Sequence, residues 1–207
     1  MEDQYHRIAR WYDTIFEPLN SGLRQIGFKM HPVDAGTNVL DIGCGTGAHL
    51  KLYQDQKCKV AGIDLSEAML KAARQKLGES ADLQLCDATR MNFPDNRFDL
   101  IVCCTVLHEM QQEVRLQVLS EARRILKEDG RLLLIDFHPG PLKIFKGYFT
   151  KIIITVAELA AGSVHFGNYR NFMKQGGLPF LIAHCGFEVE QNKILSGGNF
   201  GIFVLKK

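Results

Sequence analysis

The stretch Val39-Leu40-Asp41-Ile42-Gly43-Cys44-Gly45-Thr46-Gly47 decides the fold. Its first four residues are those of a buried strand, and glycines then alternate with other residues before a helix predicted from Ala48 to about Gln56. Glycine lets a backbone approach a ligand closely, and a helix N-terminus presents free N–H groups. We therefore expect this loop to hold a nucleotide-like cofactor.

The loop alone leaves the kind of cofactor open. With Ala48 it also fits the dinucleotide pattern G-x-G-x-x-A, and Asp64, about 20 residues past the loop, suits ribose hydroxyls in an NAD enzyme and in others. Asp41 separates these interpretations, because a carboxylate at the loop's entrance repels a pyrophosphate but attracts an ammonium group. Asp87, after a third strand, can accept a hydrogen bond from the exocyclic amine of adenine. These acids favour a nucleoside that carries an amino acid.

The rest of the chain alternates short β-branched runs with helical stretches from Asn38 onward, which is typical of βαβ units and a parallel sheet. The last two runs, joined across Ser196-Gly197-Gly198-Asn199, predict a hairpin that ends the sheet antiparallel. Strands are predicted at 39–42, 59–63, 82–86, 98–104, 131–136, 187–194 and 200–205, with helices at 66–77, 112–126 and 172–185. The sequence therefore predicts an α/β fold.

The composition is that of an ordinary globular protein, with 46% hydrophobic residues among 207. We expect a single domain over 1–207, with a helical N-terminal segment at 1–37 and an inserted lid at about 138–170. The balance of 25 Lys and Arg against 23 Asp and Glu argues against a nucleic-acid partner. The six cysteines lack paired spacing, the first residues lack a secretory pattern, and the stretch from Ile152 to Ala161 is too short to span a bilayer. A cytoplasmic protein with no transmembrane segment is expected.

Four motifs in order and spacing resemble the class I S-adenosylmethionine-dependent methyltransferases. They are the stretch quoted above, Gly62-Ile63-Asp64-Leu65-Ser66 with Met69-Leu70, Cys86-Asp87-Ala88, and Phe98-Asp99-Leu100-Ile101-Val102 with Leu107-His108. The resemblance covers Asn38 to Asp136. It implies a Rossmann-like sheet of seven strands, six parallel and one antiparallel, with helices on both faces. It also implies S-adenosylmethionine as methyl donor and S-adenosylhomocysteine as product.

The resemblance further implies which residues contact the cofactor. Gly43 and Gly45 would pack on the methionyl part, and Asp41 would face its ammonium group directly or through water. Asp64 would hold the ribose, while the residues after it and after the third strand would frame the adenine. The implied cofactor-binding set is Tyr12, Asp41, Gly43, Cys44, Gly45, Asp64, Leu65, Asp87, Ala88, Cys104 and Thr105.

The N-terminal segment Tyr5-His6-Arg7-Ile8-Ala9-Arg10-Trp11-Tyr12-Asp13 is similar to the start of quinone-biosynthesis methyltransferases. This similarity points to the ubiquinone/menaquinone-biosynthesis (UbiE-like) or type 11/12 group. In these relatives the aromatic residue before the Asp helps to close the cofactor pocket, so Tyr12 is the candidate for that role. Alternatively, Trp11 and Tyr12 form an aromatic staple of a docking helix.

The region after Asp136 is the candidate acceptor segment, because a breaker cluster at 138–141 precedes an aromatic and apolar stretch with interleaved lysines. Such a segment would shield a small apolar or aromatic methyl acceptor, either quinone-precursor-like or lipid-like, or lie peripherally against a membrane. Alternatively, the apolar residues of this segment form part of the hydrophobic core. The chain could act as a monomer or a homodimer. Candidate acceptor-binding residues are His108, His138, Tyr148, His165 and Tyr169.

Methyl transfer from a sulfonium needs alignment and enclosure more than a fixed catalytic residue. No catalytic residue is assigned, although His108, His138, His165 or Glu109 could act as a general base for a phenolic acceptor. A metal is not expected, because only Asp136 and His138 with His108 or Glu109 could form a ligand cluster. Two alternatives stay open, an NAD-dependent oxidoreductase and a non-catalytic cofactor-binding subunit. Asp41 at the entrance of the glycine loop speaks against the oxidoreductase.

Overall fold

A computed structural model describes residues 17–207 of the chain. Within these residues the chain forms seven α-helices and seven strands. The α-helices are α1 Glu17–Met30, α2 Ala48–Asp55, α3 Glu67–Leu77, α4 Gln112–Ile125, α5 Lys146–Ala160, α6 Ser163–Gln175 and α7 Gly177–His184. The strands are β1 Asn38–Ile42, β2 Lys59–Asp64, β3 Asp82–Leu85, β4 Phe98–Cys104, β5 Leu126–Phe137, β6 Glu188–Leu195 and β7 Phe200–Lys206.

All seven strands form one sheet in the order β3-β2-β1-β4-β5-β7-β6. Six strands run parallel, and β7 is antiparallel to both of its neighbours. The predicted sheet is therefore confirmed, including its antiparallel strand. The chain moves outward from β1 through β2 to β3 and then returns to β4 on the other side of β1. In open α/β sheets, ligands bind at the carboxyl ends of the strands beside such a reversal.

The core of the sheet follows from the apolar central strands. In β4, every residue except Asp99 is buried, because helices cover the sheet. The neighbouring α3 begins where the Ser66 side chain accepts a hydrogen bond from the backbone N–H of Met69 at 3.2 Å, and ends at Gly78, whose φ is 72°. These boundaries place the residues just before α3 at the carboxyl end of β2.

The segment after β5 differs from the prediction. The single helix predicted from Phe172 to Cys185 is wrong, because Gly176, at φ 106°, separates α6 from α7. The predicted lid region contains α5 and the first half of α6. No helix within residues 17–207 is long and apolar enough to cross a bilayer. Strand β5 also begins at Leu126, five residues before the predicted start at Arg131, since Leu126 already pairs with Phe98.

Candidate cofactor site

A cavity of about 270 Å³ opens at the carboxyl ends of β1, β2 and β4. It lies where the strand order reverses, which is the expected ligand position in such a sheet. Nine of the eleven residues predicted to bind the cofactor line it, namely Gly43, Cys44, Gly45, Asp64, Leu65, Asp87, Ala88, Cys104 and Thr105. The sequence motifs therefore converge on one cavity, although they are up to 62 residues apart along the chain.

The glycine loop has three left-handed glycines with different surroundings. At Gly43, φ is 70° and an added Cβ would come within 2.6 Å of the Val106 side chain. At Gly47, φ is 76° and a Cβ would lie 2.8 Å from Leu77. Gly45, at φ 51°, would meet no atom within 4 Å. Gly43 and Gly47 thus allow the loop to pack closely against Val106 and Leu77, whereas Gly45 leaves space open at the cavity wall.

Asp64 supports this loop from the end of β2. One carboxylate oxygen accepts a hydrogen bond from the Gly45 N–H at 2.8 Å, and the other accepts from the Ser66 N–H at 2.9 Å. Each oxygen can accept more than one hydrogen bond, so the carboxylate is held in place while it can still receive hydroxyl donors. Leu65 follows with its side chain 73% exposed at the cavity wall, where an apolar ring could cover it.

The opposite walls come from the segments after β3 and β4. Asp87 accepts hydrogen bonds from the N–H and the hydroxyl of Thr89, both at 2.8 Å and both at Oδ1. Thr105 has a left-handed backbone with φ 55°, and its N–H donates to the Ile135 carbonyl at 2.7 Å. Burial raises the pKa of the Cys104 thiol to about 11, so this thiol is neutral at ordinary pH.

Asp41 lies behind the loop, not on the cavity wall. It is 2% exposed, and its Oδ1 has no hydrogen-bond partner among the described residues. Burial raises its pKa to about 8; Arg24 opposes this shift and Asp64 adds to it. His49 Nδ1 lies 4.0 Å from Oδ2, but burial lowers the pKa of this histidine to about 3, so its ring is neutral at ordinary pH. Tyr12 lies outside the described residues, so its predicted role stays a prediction.

The residues predicted to bind the acceptor do not line this cavity. Three of them, His108, His165 and Tyr169, come together beside Glu158; His108 belongs to the turn at Leu107–Glu109, but its side chain does not line the cavity. His138 stacks on Phe203 instead, and Tyr148 is exposed on α5. Their roles toward an acceptor stay predictions.

Sequence reasoning missed part of the cavity wall. Arg24 from α1 and Val114 and Val118 from α4 belong to it, and no motif pointed to them. Met69 was quoted within a motif and Glu109 was named as an acid–base alternative, but neither was assigned to the cofactor site. Helix residues such as Val114 reach the cavity through packing, which a local pattern does not encode.

Comparison with known proteins agrees with this geometry. Residues 40–134 match a family described as a methyltransferase domain. The ubiquinone/menaquinone biosynthesis C-methyltransferase UbiE of Cupriavidus necator is 30% identical, and the alignment covers 98% of this chain and 90% of that protein. A demethylmenaquinone methyltransferase of Listeria monocytogenes is 29% identical, over 95% of this chain and 92% of its own.

A solved structure of similar fold is a SAM-dependent methyltransferase from Aquifex aeolicus. Its TM-score is 0.63 at 22% identity, with 89% of each chain covered. Nothing in these comparisons supports the oxidoreductase or the non-catalytic alternative. Similarity at 30% identity over nearly the whole length indicates common descent, and the chain therefore belongs to the S-adenosylmethionine-dependent methyltransferases, in the UbiE-like group.

Proposed function

We propose that the cavity at the ends of β1, β2 and β4 holds S-adenosylmethionine, and that its methyl group passes to a small apolar ring acceptor of the quinone-precursor type. The relatives at about 30% identity carry names that specify quinone substrates. The observation on this chain that supports an apolar acceptor is an exposed apolar surface on α5.

The orientation of the cofactor follows from the charges and spaces of the cavity wall. Asp64 is the anchored carboxylate at the end of β2, and it suits the two ribose hydroxyls. Leu65 and Ala88 offer apolar surface for the adenine ring, with Asp87 beside its amine. The methionyl part would then lie along Gly45 toward the end of β4. This orientation directs the sulfonium to the side where Glu109 and Met110 form the wall.

Helix α5 supports the apolar acceptor. Large apolar side chains on and around it are more than half exposed, namely Ile144, Phe145, Tyr148, Phe149, Ile152, Ile153, Val156 and Leu159. Single exposed apolar residues are ordinary, but a cluster of this size on one helix is typical of an interaction surface. Lys143 and Lys146 are exposed at its N-terminal end, which suits an anionic membrane surface.

The cofactor cavity and α5 are linked through α6. The Asn168 amide on α6 donates a hydrogen bond to the Glu109 carbonyl at 2.6 Å, and Glu109 lines the cavity. Lys151 on α5 in turn donates to the Tyr169 hydroxyl on α6 at 2.7 Å. These two contacts connect the helix that carries the apolar surface to the wall of the cofactor cavity.

The chemical step is a displacement at the methyl carbon. An electron pair of the acceptor forms the new bond to carbon while the carbon–sulfur bond breaks, and the sulfonium becomes the neutral thioether of S-adenosylhomocysteine. The acceptor's proton leaves to a base or to solvent. Glu109 is better placed than His108 to take that proton, because Glu109 lines the cavity and the His108 side chain does not.

The test is methyl transfer from S-adenosylmethionine with a deuterated methyl group, followed by mass spectrometry of the products. Three acceptors are compared: a short-chain demethylmenaquinol, phosphatidylethanolamine vesicles and a water-soluble catechol. We expect deuteromethyl incorporation into the quinol, and none with Asp64→Ala. Incorporation only into the lipid or the catechol would overturn the acceptor class and leave the cofactor site standing. Turnover by Asp64→Ala at the wild-type rate would overturn the cofactor site.

A further inference from the structure

Two histidines and a glutamate form a cluster, two of them buried and one half-buried, that the methyl-transfer site does not use. His108 lies in the turn after β4, Glu158 near the end of α5, and His165 in the first turns of α6. One ligand atom from each lies within 4.8 Å of the other two. Glu158 Oε2 is 2.8 Å from His165 Nε2 and 3.7 Å from His108 Nε2.

We propose that this cluster is a binding site for one divalent first-row transition-metal ion of the zinc type. Zinc binds imidazole nitrogen and carboxylate oxygen at about 2.0–2.2 Å, so two ligands of one ion lie about 3.0–3.5 Å apart. The two distances from Glu158 Oε2 to the histidine nitrogens, 2.8 and 3.7 Å, lie just below and just above that range. Two imidazoles and one carboxylate favour zinc, iron, cobalt or nickel over magnesium or calcium, which prefer oxygen ligands.

The orientation of the Glu158 carboxylate supports an ion in preference to a direct hydrogen bond. Its contact with the His165 ring has the length of a hydrogen bond, yet Oε2 has no hydrogen-bond partner of acceptable angle among the described residues. Glu158 is 8% exposed, so water does not readily satisfy that oxygen. A buried carboxylate oxygen without a partner is costly, and a cation between the three groups would remove that cost.

The surroundings of His108 are those of a metal-bound histidine. Its Nδ1 lies 2.7 Å from the Asp136 carboxylate at the end of β5. The Phe137 N–H and the His108 N–H both donate to the same carboxylate, at 2.7 and 3.3 Å, which fixes its position. In a neutral His108 whose Nδ1 donates to this carboxylate, Nε2 presents its lone pair, and such a carboxylate–histidine pair commonly supports a bound metal. Burial opposes protonation of the ring, but Asp136 raises its pKa to about 9, so a bound ion would displace a proton from Nε2 at neutral pH.

Glu158 and His165 are seven residues apart, whereas His108 lies 50 residues before Glu158, so the ion would hold the junction of α5 and α6 against the turn after β4. The Phe137 ring packs on the His108 ring at 4.6 Å between centroids and helps to enclose the site. Three protein ligands leave one or more positions for water or for an oxygen of a bound molecule. The candidate metal ligands taken from the sequence did not include Glu158, because an acid on an amphipathic helix is usually solvated.

The test uses the full chain without an affinity tag, freed of metal by dialysis against a chelator and titrated with Zn²⁺ in a calorimeter. We expect one ion per chain for the wild type. His165→Ala should bind about 100-fold more weakly or worse, because it loses one of three ligands. His138→Ala is the matched control, since this histidine lies at the end of β5 but outside the cluster, and it should bind as the wild type does.

A spectroscopic readout keeps the result independent of methyl transfer. Co²⁺ should give visible absorption bands typical of bound nitrogen and oxygen ligands in the wild type and in His138→Ala, and not in His165→Ala. Zn²⁺ should raise the Tm of the first two proteins only. The proposal is overturned if the wild type binds neither ion, if His165→Ala binds as tightly as the wild type, or if His138→Ala loses binding equally.

Discussion

Gly45→Ala tests the role of the glycine loop most selectively. Gly45 lines the cavity, and an added Cβ would meet no protein atom within 4 Å, so the new methyl group would occupy space that a ligand fills. Its φ of 51° lies in the left-handed region, where alanine costs about 1–2 kcal/mol. The variant should therefore fold, with a Tm lower by roughly 2–6 °C.

The effect on the cofactor should be larger than this change in stability suggests. Forcing one extra methyl group into a close-packed contact costs about 1–3 kcal/mol, which corresponds to a loss of about 5- to 150-fold in affinity. Calorimetric titration with S-adenosylhomocysteine measures the affinity, and thermal unfolding measures the stability of the same samples.

Gly36→Ala is the matched control for this experiment. Gly36 also has a positive φ, at 87°, and open surroundings, but it lies in the turn before β1, at the opposite end of that strand from the cavity. This variant should lose stability without losing affinity. The reasoning is refuted if Gly45→Ala binds S-adenosylhomocysteine as tightly as the wild type, or if Gly36→Ala weakens binding by the same factor.

Three further predictions concern buried groups. Asp41 has a folded-state pKa of about 8 against 3.8 for the free group, so the folded state retains a proton that the unfolded state loses. The free energy of unfolding should therefore fall as pH rises from about 4 to 8, by about 6 kcal/mol at most, and urea unfolding should show this slope flattened in Asp41→Asn. Arg115 is 1% exposed and donates three hydrogen bonds, to the turn after β4 and to α6. Arg115→Met should therefore lower the free energy of unfolding in urea by about 2–4 kcal/mol, whereas Arg170→Met, on the surface, should change it by less than about 0.5 kcal/mol. Equal losses in the two variants would contradict this prediction. Gly62→Ala would bring a Cβ within 2.8 Å of the Cys44 sulfur and should cost about 1–3 kcal/mol in the same assay, and an unchanged midpoint would count against that packing.

The sheet and the cofactor loop could be predicted because their signals are local. The run from Val39 to Gly47 combines an apolar strand with glycines whose backbone angles other residues rarely adopt. Adjacent residues are therefore enough to predict the strand–loop–helix unit. Asp64 is the last residue of β2 and Asp87 lies two residues past the end of β3, and parallel strands bring their carboxyl ends to one edge. The positions of these acids at the cavity therefore follow from the strand pattern alone.

The segment after β5 was predicted less well for physical reasons. Gly176 and Gly177 stand together in the sequence and break the predicted helix, so the signal was present but was outweighed by the apolar run around it. Glu158 gave no such signal, because its burial depends on how α5 packs on α6 and on the turn after β4. Tertiary contacts between distant segments decide these positions, and a local pattern does not contain them.

The central claim, that the cavity beside Gly45 and Asp64 is the S-adenosylmethionine site, is tested most directly by calorimetric titration. The purified protein and its Asp64→Ala variant are titrated with S-adenosylmethionine, S-adenosylhomocysteine and NAD. Micromolar binding of the first two ligands by the wild type, lost in Asp64→Ala, is the predicted result. Binding of S-adenosylhomocysteine that is equally tight in Asp64→Ala, or binding of NAD alone, would contradict the account.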